Sequence, residues 1–128
     1  MSYLTHYLPR ASAPVVPLRP GVRVDEQTLL NLPGYYGDAH VRVFVEDTSR
    51  RHTKRWLRRA VPPSPRLVLQ ITDCFNEINL EFDLSSAGLR ENSLYKIDTL
   101  LGALHRFRGG LAAEAELYEQ RELTLQGR

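Results

Sequence analysis

Leu67-Val-Leu-Gln-Ile-Thr-Asp-Cys-Phe-Asn-Glu-Ile-Asn-Leu-Glu-Phe-Asp-Leu84 decides the fold of this chain. Leu67, Leu69 and Ile71 alternate with Val68, Gln70 and Thr72; further on, Ile78, Leu80, Phe82 and Leu84 alternate with Asn79, Glu81 and Asp83. A period of two is the signature of a half-buried strand, so the stretch predicts two strands, Arg66–Asp73 and Glu77–Leu84. Asp73 and Asn76 bracket Cys74 and Phe75, and short Asx side chains favour turns by hydrogen bonding to nearby backbone. The prediction is an antiparallel hairpin with Leu69, Ile71, Leu80 and Phe82 buried and Gln70, Asn79 and Glu81 outside. A two-stranded ribbon is marginal alone in water, so other elements must extend and cover it.

Upstream, Asp38–Asp47 repeats the alternation, with Val41, Val43 and Val45 on one face and His40, Arg42, Phe44 and Glu46 on the other. This strand is expected to join the hairpin's sheet. Val22–Leu32 suits a short strand followed by one or two helical turns, with the Asp25 carboxylate accepting from the first free N–H groups. Pro33-Gly34-Tyr35-Tyr36-Gly37 stops that segment and suits a loop that presents paired tyrosines. It lacks the strand, glycine spacing and following lysine of a phosphate loop.

Downstream, Ser85–Gly88 suits a loop. Leu94, Ile97, Leu100, Leu101, Leu104 and Phe107 then recur at intervals of three and four, which places them on one stripe of a helix starting near Asn92 or Ser93. Burying each such side chain contributes about 1.5–3 kcal/mol, so the stripe laid on the sheet is the expected main core. Gly109-Gly110 marks the candidate break, beyond which Leu111–Glu122 is again helical, with Leu111, Ala115 and Tyr118 on one side. Either the helix breaks there and folds back, or an uninterrupted helix needs a partner.

A length of 128 residues, 42% hydrophobic and 25% charged, fits one soluble globular domain and excludes collagen-like and wholly disordered classes. The expected organisation is an extended, proline-rich arm over residues 1–20 and a single domain over 21–128. Prolines 9, 14, 17 and 20 forbid a helix in the arm, and its apolar residues suit a strap across the core or an arm exchanged with a second copy. No apolar run approaches the roughly 20 residues of a membrane span, and the start has no secretory pattern, so a cytoplasmic protein with no membrane role is expected. Cys74 is the one cysteine, which rules out an intramolecular disulfide; a small residue in a turn is preferred over a reactive thiol.

Charge is concentrated in Ser49–Ala60. Arg51, Lys54, Arg55, Arg58 and Arg59 fall at i, i+3, i+4, i+7 and i+8, a cationic stripe on a predicted short helix, with Thr53, Trp56, Leu57 and Ala60 on the opposite side. Like charges in a row repel, and they invite an anionic partner: an acidic protein surface, nucleic-acid phosphate or anionic lipid. With a net charge of only +2, a dedicated nucleic-acid domain is disfavoured. Val61–Pro65 follows as a stiff elbow.

His6, His40, His52 and His105 have no metal-ligand spacing, and neither a metal nor a cofactor motif is present. Glu81 and Asp83 form a paired-carboxylate pattern, but strand alternation alone produces it.

Together these features predict a two-layer α+β domain: an antiparallel-rich sheet of three to four strands, covered on one face by a C-terminal helix, with a short basic crossover helix. The favoured role is a small non-enzymatic binding or regulatory protein acting through protein–protein contacts and forming homo-oligomers. The candidate binding residues are Arg51, Lys54, Arg55, Arg58 and Arg59, with Tyr35 and Tyr36 as a partner loop. The alternatives are a nucleic-acid-binding module using the basic helix at 50–60 and, third, a small hydrolase or nuclease.

Overall fold

A computed structural model of the chain describes residues 19–35, 37–49 and 64–127. Nearly all of the expected arm, the predicted basic helix after Ser49, Tyr36 and the predicted elbow through Pro63 lie outside the described residues. The rest is α+β. Strands β1 (Val22–Leu29), β2 (Ala39–Glu46), β3 (Leu67–Asp73) and β4 (Asn76–Leu80) form one antiparallel sheet in the order β1-β2-β3-β4, and helix α1 spans Ala87–Gln126. The chain divides into two compact units, one being Val16–Ser93 with the sheet and the start of α1, the other carrying α1 from Leu94 onward.

The hairpin forms as its alternation predicts. Leu69 pairs with Leu80, Ile71 with Ile78 and Asp73 with Asn76, which leaves Cys74 and Phe75 as a two-residue turn. Tight antiparallel turns of this length need a positive φ, and Cys74 supplies it at 56°. The Asx residues close the ladder instead of forming the turn. The Cys74 N–H donates to the Asp38 carbonyl at 2.6 Å, tying this turn to the end of the β1–β2 loop.

Pairing of Val41 with Ile71, Val43 with Leu69 and Val45 with Leu67 gathers the aliphatic residues of β2 and β3 on one face. His40, Arg42 and Phe44 share the other face with Thr72, Gln70 and Val68. Burial is shallower than the alternation implied. Among the described residues the buried apolar side chains are Ala39 and Phe44, the latter beneath the Arg66 guanidinium, 5.1 Å from its ring centre. Leu69, Ile71, Leu80 and Phe82 are half-buried, and so is Gln70, while Asn79 and Glu81 are exposed as expected. Ile78 is exposed because edge strand β4 has a neighbour on one side only.

Three segments depart from expectation. Val22–Leu29 is strand throughout, with no helical turn. Its ladder with β2 satisfies the backbone groups that a helix would have paired, and Asp25 sits opposite Phe44 and bonds Arg19 at 2.8 Å rather than capping. Strand β4 stops at Leu80 instead of Leu84. Beyond it the Asp83 backbone turns to the helix: its N–H donates to Ser93 Oγ at 3.1 Å and its carbonyl accepts from the same hydroxyl at 3.0 Å.

The third departure is the helix. It begins at Ala87, several residues early, because Ser86 caps it by accepting the Leu89 N–H at 3.1 Å. It runs for 40 residues without a break at Gly109-Gly110. Two glycines cost about 1 kcal/mol each in a helix interior. No proline follows to block the ladder, and Leu111–Leu117 consists of the strong helix formers Leu, Ala and Glu.

Candidate functional site

The β1–β2 and β3–β4 connections lie at the same end of the sheet, as a meander requires. Leu30 continues the ladder by donating to the Ala39 carbonyl at 2.9 Å, and Asn31 Nδ2 donates to the Gly37 carbonyl at 3.3 Å, closing the loop. Gly34 and Gly37 take φ values of 90° and 111°, which side-chain-bearing residues avoid. The closed loop presents Leu30, Leu32 and Tyr35 to solvent, and Phe75 is fully exposed on the adjacent turn. Tyr35 is exposed on this loop, and Tyr36 lies outside the described residues. Arg51, Lys54, Arg55, Arg58 and Arg59 also lie outside them.

Among the described residues, the polar groups singled out from the sequence do not assemble into a reacting set. His40 Nδ1 is 3.1 Å from Asp38 Oδ1, whereas Glu46 accepts the Arg66 backbone N–H at 2.9 Å. Asp83 has left the strand and accepts the Ser85 N–H at 2.8 Å, so it does not face Glu81 across one strand surface. Hydrogen bonds from Ser85, through its side chain first and its backbone second, hold the Asp83 carboxyl below the ordinary carboxylate range. Among the described residues no group of three or more His, Cys, Asp or Glu side chains is placed to hold a metal ion. No helix among them is long and apolar enough to cross a membrane.

A long row of exposed apolar side chains lies on α1. Leu94, Leu101, Leu104, Leu111, Tyr118 and Leu125 are all exposed, from 51% at Leu104 to 68% at Leu94 and Leu125. Their spacings are 7, 3, 7, 7 and 7 residues. Assigning Leu94 to position a of a heptad gives Leu94, Leu101, Arg108, Ala115 and Glu122 at a, and Ile97, Leu104, Leu111, Tyr118 and Leu125 at d. Leu100 and Phe107 at g widen the stripe, while Tyr95, Leu117 and Leu123 fall outside it. Ser93, not a leucine, is the buried residue of the helix.

Of the stripe expected to form the core, Leu94, Leu101, Leu104 and Phe107 are thus exposed while Ile97 and Leu100 are half-buried, and the seam runs straight through Gly109-Gly110. The sequence signal for it was the seven-residue repeat continuing across the glycines, which a reading in two separate stretches divides. A 3.5-residue repeat drifts about 20° per heptad on a straight helix, so only supercoiling around another helix keeps such a seam facing one way. Comparison with family models, with curated proteins and with solved structures finds no significant match to this chain.

Proposed function

We propose that this chain is a small non-enzymatic binding or regulatory protein that acts through protein–protein contacts and self-associates through α1. The observation that carries this is the exposed seam from Leu94 to Leu125 on an uninterrupted helix. Heptads sustained over three or four repeats are the pattern of a coiled coil, and exposed contiguous apolar surface on this scale marks an interaction site.

Magnitudes favour the same conclusion. Six large seam side chains on each of two copies, at about 1 kcal/mol apiece for the half or more of each still exposed, offset an association cost of the same order, roughly 4–15 kcal/mol. Pairing also supports the helix itself, since isolated helices in water gain little beyond marginal stability and this one contains four glycines.

Sedimentation equilibrium of the full chain at tens of micromolar tests the reading. A mass above the monomer is expected, as is monomeric behaviour for the double variant Leu101→Asp, Leu104→Asp, because each substitution places a charge in the seam of both copies. The predicted weakening is at least about 100-fold. A monomeric parent chain refutes self-association.

A further inference from the structure

Charge is unevenly distributed along the helix. From Leu94 to Gly110 it carries Lys96, Arg106 and Arg108 against Asp98; from Leu111 to Gln126 it carries Glu114, Glu116, Glu119 and Glu122 against Arg121. The first half is therefore net +2 and the second net −3, with His105 neutral. Two of these charges, Arg108 and Glu122, occupy seam positions. We infer that α1 pairs with a second copy of itself in antiparallel orientation, Leu94 of one copy meeting Leu125 of the other. This rests on the self-association proposed above and specifies its geometry.

A parallel pair stacks every a residue on its own equivalent. Arg108 would face Arg108 and Glu122 would face Glu122 inside the interface, while the two positive halves lie together and the two negative halves lie together. Like charges so placed repel, and the repulsion grows as water is excluded. An antiparallel pair matches a against d instead.

One antiparallel register uses all five a and all five d positions. It sets Leu94 against Leu125, Ile97 against Glu122, Leu101 against Tyr118, Leu104 against Ala115 and Arg108 against Leu111, with the two-fold axis level with Gly109-Gly110. No layer then contains two like charges. Shifting by a heptad either way strands seam residues without partners. Arg108 lies at an axial offset of about 4.5 Å from the second copy's Glu114, at 1.5 Å per residue, within reach of a long guanidinium side chain. The cationic half of each helix runs along the anionic half of its mate. Two unfavourable features accompany the register: Asp98 approaches the second copy's Glu119 at the flank, where water screens the pair, and Glu122 meets Ile97 with no cation in its layer.

Disulfide trapping in the full chain tests the geometry. With Cys74→Ser as background, Leu94→Cys and Leu125→Cys are made separately, then oxidised in a glutathione buffer alone and as an equal mixture. Antiparallel pairing predicts a disulfide-linked dimer in the mixture, with one copy of each variant by mass, and little in either sample alone. Links within the Leu94→Cys sample alone overturn the orientation while leaving self-association standing. A dimeric background protein that forms no link in any sample overturns this register, and a monomeric one overturns self-association as well.

A nitroxide on Asn92→Cys in the same background, outside the seam, gives a second readout free of seam substitutions. The register places the two labels about 52 Å apart along the axis, at 1.5 Å per residue, whereas parallel pairing leaves them side by side. A short distance overturns the proposal.

Discussion

The sheet and the helix solve the same problem in opposite ways. Each arises from a strict apolar period, two in the strands and three to four in the helix, and each therefore carries a stripe that water disfavours. In the sheet, neighbouring strands supply partners from the chain itself: Val43 meets Leu69, and Leu69 meets Leu80. In the helix, Leu94, Leu101, Leu104, Leu111, Tyr118 and Leu125 remain more than half exposed. The difference teaches that periodicity specifies which face must be hidden but not by what. It also separates their energetics, since strand pairing is intramolecular whereas the proposed burial of the seam by a second copy would depend on concentration.

The largest expected effect that tests this contrast is on the sheet side. Phe44→Ala removes the largest buried ring among the described residues and should cost about 3–5 kcal/mol. Denaturant titration at two protein concentrations should show that loss equally at both. A loss that vanishes at the higher concentration would show that the sheet, too, depends on association.

Ser93→Ala comes next. The hydroxyl serves both the N–H and the carbonyl of Asp83, so its removal leaves two backbone groups unpaired at a part-buried site and should cost about 1–3 kcal/mol. An unchanged thermal midpoint would mean that water replaces the hydroxyl freely.

Gly109→Ala with Gly110→Ala should act in the opposite direction. Added methyl groups meet nothing within 4 Å, so each substitution should stabilise the helix by about 1 kcal/mol. Both positions fall outside the seam, so the ellipticity at 222 nm should melt at higher temperature while the oligomer mass stays the same. Dissociation of the variant would place the glycines in the interface instead.

The smallest effect is one of pH. Because the folded Asp83 carboxyl lies below its unfolded value, its contribution is present above about pH 4, the unfolded value for Asp, and is lost as pH falls through the folded value. Asp83→Asn should lower stability slightly at neutral pH, where the carboxylate contribution is present, and converge with the parent chain in acid, so the fall on the acid side flattens. A parallel acid limb in the variant would show that Ser85 does not hold the folded carboxylate.

How far the sequence alone reached depended on whether a feature was local. Alternation over Leu67–Leu80 and Val41–Val45 was enough to place the hairpin, its neighbour and which residues share a face, because a one-residue slip would move every side chain to the other face. Tyr35 on a loop followed from Pro33, Gly34 and Gly37 for the same reason. Three other outcomes required a partner distant in sequence or a choice between nearly equal states. Val22–Leu29 became strand over its whole length because β2 was there to pair with it, whereas Glu26 and Gln27 alone are equally compatible with a helix. Leu80 ended β4 because the Asp83 backbone groups found Ser93, ten residues on. Gly109-Gly110 failed to break α1 because two glycines cost little against a long run of good helix formers, and only the assembled helix shows Leu94 and Leu125 on one continuous seam. Side-chain period is written residue by residue, but what finally covers a face is a property of the folded chain and of whatever meets it.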